Sequence, residues 1–245
     1  LLIQPLISQS DPGAMIDIYY YLYKNIISGI INMNVLELFS GTGSVGKVCK
    51  DIGWNVVSLD LDERADIVCD ILDWDYKKYP KDYFSLIWAS PPCDNYSILN
   101  YSNIGRKLKS GQIVTTESIK EGWVEADKLV KKTLEIIDYF SPCIWYIENP
   151  QTGRLKDREF MKDLPYIDVD YCMFSDWGYR KRTRIWTNKE YLANVLCDKK
   201  CGNMIAGNNR LKHKHDISDV YCKGVNRLDL RHRIPPKLLY YLLEF

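Results

Sequence analysis

Residues 34–53, NVLELFSGTGSVGKVCKDIG, constrain the fold more than any other stretch. A short β-rich run, NVLELF (34–39), leads into a loop with glycines at 41, 43 and 46. A helical pattern follows and is closed by Gly53. Strand, glycine loop and helix in that order open a doubly wound α/β sheet, and the rest of the chain keeps the alternation. NVVSLD (55–60), ADIVCDI (65–71), YFSLIWA (83–89) and CIWYIEN (143–149) read as strands, with IDVDYCMF and TRIWTN as later ones. Apolar residues at Val124, Leu129, Val130, Leu134, Ile137 and Phe140 have helical spacing, and PPKLLYYLLEF reads as a final helix. The stretch 95–121 is rich in Ser, Asn, Gly and Lys and reads as one long loop. The pattern predicts a mostly parallel, doubly wound sheet, which binds ligands beyond the carboxyl ends of its strands.

The chemistry-bearing residues fall at those ends. Gly41-x-Gly43-x-x-Gly46 lets a ligand approach the backbone, and the helix that follows favours a negative group. Asp60, after the second strand, is placed to accept hydrogen bonds from ribose hydroxyls, and Asp70, after the third, from an adenine amino group. This pattern suits a nicotinamide cofactor and an S-adenosylmethionine loop about equally. In LIWASPPCDNYS (86–97) the prolines stop the fourth strand, and the turn leaves the Cys93 thiol on the rim. Glu148 ends the fifth strand. A free cysteine is more often a small buried hydrophobe, so Cys93 gains weight only from this company.

With 245 residues the chain suits one domain with an insert. Its net charge of +1 conceals an uneven distribution. Residues 176–215 carry ten Lys/Arg against three Asp/Glu, whereas 60–75 carry seven acids and one Arg. A basic patch of this kind can face phosphates, and it is equally a solvated surface. Eight cysteines without a secretory leader point to a reducing, intracellular setting, cytoplasm or nucleus. Residues 1–33 read as an N-terminal extension, foreign in part before Met15, with Met33 a candidate start. Asp17, Lys24, Asn25 and Gly29 interrupt its apolar run, which argues against a membrane span.

Four motifs in fixed order carry a family resemblance. Phe39-Ser40-Gly41-Thr42-Gly43, then Pro91-Pro92-Cys93 with Tyr96-Ser97, then Glu148-Asn149, then Arg182-x-Arg184 resemble the motifs of the DNA cytosine C5-methyltransferases over residues 34–187. The resemblance implies the S-adenosylmethionine-dependent methyltransferase type of sheet. It implies a cofactor site at Phe39 to Gly43, Asp60 with Leu61, Asp70 with Ile71, and Pro91. It implies catalysis by Cys93 as the thiolate that attacks C6 of cytosine, by Glu148 at N3, and by Arg182 and Arg184 at O2. DNA is the implied partner, with the target base flipped from the helix by a monomeric enzyme. Arg106, Lys107 and Lys109 would close over the opened site. Arg180 stands where the family has Gln, Pro150 replaces a Val, and Arg231-x-Arg233-Ile234-Pro235 reads as a reduced late motif. The domain reading is 34–186 for cofactor and catalysis, 187–230 for a small target-recognition region, and 231–245 for a helix returning to the first. The compactness resembles phage or viral members.

Two matters stay open at this level. Cys197-x3-Cys201, His213, His215 and Cys222 offer donors for a tetrahedral zinc, with Cys197, Cys201, His215 and Cys222 as the expected set; unlinked thiols and surface histidines explain them as well. Ser90-Pro91-Pro92 also matches part of the motif of exocyclic amino methyltransferases acting on adenine N6 or cytosine N4. An inactive DNA-binding protein of the same fold and a nicotinamide oxidoreductase are further alternatives.

Overall fold

The computed structural model describes residues 33–207, 210–219 and 226–244. The expectations for residues 1–32 and for Cys222 lie outside these. Seven strands form one sheet in the order β3-β2-β1-β4-β5-β7-β6. They are β1 (Asn34–Leu38), β2 (Asn55–Asp60), β3 (Ile67–Val68), β4 (Leu86–Ala89), β5 (Ile144–Pro150), β6 (Tyr166–Asp170) and β7 (Arg182–Thr187). β1 pairs in parallel with β2 and β4, β2 with β3, and β4 with β5, while β7 runs antiparallel to both β5 and β6. The chain order reverses between β1 and β4, and a crevice opens there beyond the carboxyl ends of both strands.

The central strands are buried on both faces, as a helix-covered parallel sheet requires. Val35, Leu86 and Trp88 face Val45 and Val48 of α1 (Ser44–Asp51) and Leu238, Leu239 and Leu242 of α4 (Pro236–Leu243). Leu36, Leu38, Ile87 and Ile147 face the other way, onto Ala126, Val130, Ile136 and Phe140 of α2 (Thr116–Phe140). Pro236 starts α4 at a position where a missing N–H costs nothing.

The structure departs from the sequence reading in four places. α2 begins at Thr116, so the predicted loop ends earlier. Ser118 N donates to Thr115 Oγ1 (3.1 Å) and Thr115 N to Ser118 Oγ (2.9 Å). Serine in the place usually filled by Glu or Gln hid this capping box. Within the same stretch, Leu108 N donates to Gln112 O and Val114 N to Arg106 O, which folds residues 105–114 back on themselves. β3 shrinks to two residues, because Asp66 turns back to accept from Ser58 N and Oγ (2.9 and 2.6 Å) and Asp70 accepts from Leu72 N (2.9 Å). Past β7, the hairpin β8 (Met204–Ala206) with β9 (Leu211–His213) and the short helix α3 (Arg227–His232) carried too little periodicity to be read.

Candidate active site

The glycine loop is held by acids on two strands. Glu37, in the middle of β1, is buried, and its two oxygens accept from Val45 N (3.1 Å) and Gly46 N (2.9 Å), the exposed donors of the α1 N-terminus. Burial outweighs these bonds and pushes the Glu37 carboxyl from 4.5 up to about 7. A Cβ on Gly46 would lie 2.6 Å from Glu37 Oε2, so the third glycine makes room for this carboxylate, not for a ligand. The sequence reading missed Glu37. A lone acid in an otherwise apolar strand before a glycine loop was the available signal.

The first two glycines serve the crevice. Phe39, Gly41 and Gly43 all have positive φ (57°, 47° and 65°), which coils the loop into a concave run of backbone. For Phe39, a non-glycine residue, that conformation is strained, as is common at binding loops. Asp60 Oδ2 accepts from Gly41 N (2.8 Å) and Oδ1 from Asp62 N (3.0 Å), so this acid first shapes the loop. A carboxylate keeps further lone pairs for a hydroxyl. Ser40 is buried, Thr42 Oγ1 and Ser44 Oγ are 2.8 Å apart, and Ile71 is buried beneath. Leu61 is 71% exposed beside Asp60, and nothing lies within 4 Å of where a Cβ on Gly43 would stand. These features fit the adenosine and charged ends of S-adenosylmethionine.

On the neighbouring strand ends, Asn149 is buried and its Nδ2 donates to Pro91 O (2.8 Å), which pins the Pro-Pro-Cys turn to the end of β5. Tyr96 anchors the far side. It is fully buried, its hydroxyl donates to Asp127 Oδ1 (2.8 Å) in α2, and Arg158 Nε donates to the same carboxylate (2.9 Å). Cys93 is held between these two anchors and is partly exposed.

Glu148 faces the α1 side of the sheet at the end of β5. Tyr171 Oη donates to its Oε1 (3.1 Å), and Lys181 Nζ stands 3.6 Å from the same oxygen. Burial is the main cause that pushes the Cys93 thiol from 9.0 up to about 11; Glu148 and Asp94 add to it, and Lys181 opposes it. The structure thus brings Cys93 and Glu148 into one electrostatic neighbourhood, with Lys181 as its nearby cation. Sequence reasoning gave Lys181 no role.

Arg182 and Arg184 are placed differently. Both alternate with Thr183 and Ile185 on β7, and Ile185 is the residue opposite Glu148. They therefore lie on the other face from Glu148. Each forms a two-toothed pair across the strands to β6: Arg182 to Asp170 (2.9 and 2.7 Å) and Arg184 to Asp168 (2.8 and 2.9 Å). The Arg184 guanidinium also stacks 3.5 Å from the Tyr166 ring centroid. The structure places these arginines on the face of β7 opposite Glu148, with Nε and Nη2 of each engaged by its aspartate.

Of the expected zinc set, Cys197 and Cys201 come together, His215 does not join them, and Cys222 lies outside the described residues. His215 is exposed, and its backbone N donates to Gly178 O (2.8 Å) with the ring against Gly178. His213 takes its place beside Cys197 and Cys201, and Cys172, from the turn after β6, joins them. Nearby, Arg180, Lys199, Arg210, Lys212 and Lys214 line an open cleft of about 580 Å³.

No family model matches the chain. It is 41% identical over 222 residues to the "Probable DNA (cytosine-5)-methyltransferase" of Frog virus 3 (isolate Goorha), a match covering 86% of this chain and 99% of the relative. Among solved structures, it is similar to one described as a "putative DNA modification methyltransferase encoded within prophage" (E. coli), at 14% identity and a TM-score of 0.44 over 63% of this chain and 46% of the other. Another is the Entamoeba histolytica methyltransferase EhMeth, at 16% identity and a TM-score of 0.46 over 80% and 62%. The chain spans less than two thirds of either solved structure. On the extent and identity of the viral match, the chain belongs to the DNA (cytosine-5)-methyltransferase family.

Proposed function

We propose that the chain transfers a methyl group from S-adenosylmethionine to C5 of cytosine in DNA, with Cys93 as covalent nucleophile. The observation that carries the reading is the joint placement of Cys93 and Glu148 beside the glycine crevice, on adjacent strand ends. Phe39 to Gly43, Asp60, Leu61, Asp70, Ile71 and Pro91 would hold the cofactor. When bound, it supplies an electrophilic methyl group on a cationic sulfur.

Cytosine C5 is a poor nucleophile because it is part of an aromatic ring. The Cys93 thiolate adds to C6, and the displaced π electrons make C5 enamine-like. Glu148 hydrogen-bonds or protonates N3, which keeps negative charge from building on the ring. Lys181, beside Glu148, favours the Cys93 thiolate. After C5 has gained its methyl group, a base removes the C5 proton and the C5–C6 double bond re-forms as Cys93 leaves. In the free protein the thiol is largely protonated at neutral pH, so the thiolate forms as the base is loaded. Arg182 and Arg184 would donate to O2 from the guanidinium N–H groups that Asp170 and Asp168 leave unused.

Bases stacked in a duplex hide C5 and C6, so the target is flipped out. Residues 98–114 carry exposed Ile98, Leu99, Ile104, Leu108 and Ile113 with Arg106, Lys107 and Lys109, a suitable covering for an opened site. The basic cleft past β7 offers cations for the phosphate backbone. The reading takes the active form as a monomer with no membrane association. Among the described residues no helix is long and apolar enough to cross a membrane.

Mass spectrometry of nucleosides from DNA incubated with protein and S-adenosylmethionine tests the reading. It predicts 5-methylcytosine, absent with Cys93→Ser. N4-methylcytosine or N6-methyladenine would instead establish an amino methyltransferase, and no product on any DNA would leave a binding protein of this fold.

A further inference from the structure

The region past β7 poses a physical problem. β8 and β9 are three residues each, and Leu196, Ile205 and Leu211 in the segment around them are exposed. A two-stranded ribbon without an apolar core does not hold itself in water. Asn203 supplies part of the answer. It is buried, its Nδ2 donates to Cys172 O (3.0 Å) and Ser175 O (2.7 Å), and its Oδ1 accepts from Gly178 N (2.9 Å). These bonds dock the hairpin on residues 172–178 but leave four soft donors gathered behind them.

Those donors are Cys172, Cys197, Cys201 and His213, whose ligand atoms all lie within 4.8 Å of one another. Cys197 Sγ is 3.5 Å from Cys201 Sγ and 3.6 Å from His213 Nε2, and Cys201 Sγ is 3.4 Å from that nitrogen. A tetrahedral zinc with Zn–S about 2.3 Å and Zn–N about 2.0 Å has edges of about 3.8 Å between sulfurs and about 3.5 Å from sulfur to nitrogen. A disulfide, with sulfurs about 2.0 Å apart, does not fit the Cys197–Cys201 separation. Lys199 N donates to Cys197 Sγ (3.3 Å), and Lys199 takes φ 70°, so the Cys197-x3-Cys201 loop curls around a point to which both sulfurs turn.

We infer that Cys172, Cys197, Cys201 and His213 form a structural zinc site that fastens the segment after β7 to the end of β6. Loading exchanges three thiol protons for one Zn²⁺, and all four protein donors close the shell, which leaves no position for a reacting water. The same loop reaches the sheet: Cys197 N donates to Asp170 Oδ2 (2.8 Å), the carboxylate that holds Arg182. The metal therefore fixes the basic cleft relative to the rim. This inference is independent of methyl transfer, because a dead enzyme would bind the ion equally.

The test is metal analysis of the full chain, purified with reductant and without chelator or added zinc. About one zinc per chain is expected. Replacement of the metal by Co²⁺ is expected to give the intense visible bands of a tetrahedral, thiolate-bound ion. His213→Ala should lose most of the zinc, while His215→Ala and Cys222→Ser keep it. Zinc near zero together with no Co²⁺ bands in the wild-type chain would overturn the site, and so would a Cys197–Cys201 disulfide in freshly purified protein. Zinc lost equally from His215→Ala or Cys222→Ser would overturn this ligand set. Because the cobalt spectrum is read on wild-type protein, poor folding of a variant does not decide the matter.

Discussion

The two halves of the rim are built by different means. On the β1–β3 side, acids accept from backbone N–H groups: Glu37 from the start of α1, Asp60 from the glycine loop, Asp66 from Ser58 and Asp70 from Leu72. On the β4–β7 side, side chains meet side chains from distant segments: Tyr96 with Asp127 and Arg158, Glu148 with Tyr171 and Lys181, Arg182 with Asp170. The first half is specified within residues 37–72. The second exists only once the sheet has formed. In the proposed reading the cofactor rests on the first half, whereas the reacting groups depend on the whole β4–β7 arrangement.

The largest effect that separates the halves is on chemistry. Cys93→Ser is expected to lower single-turnover methylation by roughly 10⁴-fold or more. Cofactor affinity, read by calorimetry, should stay within about twofold, since the β1–β3 cradle does not touch residue 93. Joint loss of both would merge the two halves into one unit.

On stability, Asp170→Ala leaves Arg182 and the Cys197 amide without their shared partner at a fully buried position. Breaking such a pair costs about 3–5 kcal/mol, read by urea unfolding. Gly46→Ala drives a methyl group into the Glu37 carboxylate, and overpacking of this kind costs about 1–3 kcal/mol. That second cost should fall on cofactor affinity as well as on stability, whereas Asp170→Ala should spare cofactor affinity.

Glu37 gives the cradle a pH dependence. Its folded-state carboxyl titrates near 7 against 4.5 in the unfolded chain, so between those values the native state holds a proton the unfolded chain has lost. Stability then falls as pH rises from 4.5 to 7, by roughly 3 kcal/mol from this group. Glu37→Gln should flatten that slope. An unchanged slope would mean the carboxylate is already ionised in the fold.

The smallest effect probes the pair around Cys93. The thiolate fraction rises with pH toward about 11, so alkylation by iodoacetamide should rise through pH 9. Lys181→Met removes the opposing cation and should slow alkylation at pH 9, whereas Glu148→Gln removes a repelling charge and should speed it, each by a few-fold. Equal rates in both variants would dissociate these residues from the thiol.

The same contrast explains what the sequence made legible. The alternation of strands and helices, the glycine loop and the Pro-Pro-Cys turn are local, and the strand pattern put Cys93 and Glu148 at strand ends; the pairing of β4 with β5 made those ends neighbours. Glu37 escaped notice because a lone acid in a strand gains its meaning only from its donors on α1. Arg182 and Arg184 were read for a site, but Asp168 and Asp170 pair with them across a register that only the folded sheet sets. Cys172 escaped for the same reason: it lies 25 residues before Cys197, in what read as a continuous strand.

The central claim is a transient bond between the Cys93 sulfur and C6 of a cytosine. DNA carrying 5-fluorocytosine tests it directly, because the fluorine on C5 cannot leave as a proton does and the bond should persist. With S-adenosylmethionine and a DNA the enzyme methylates, denaturing mass spectrometry is expected to show one adduct per chain, mapped to Cys93 and absent from Cys93→Ser. Methylation of the unmodified DNA with no adduct on its fluorinated counterpart would contradict the account.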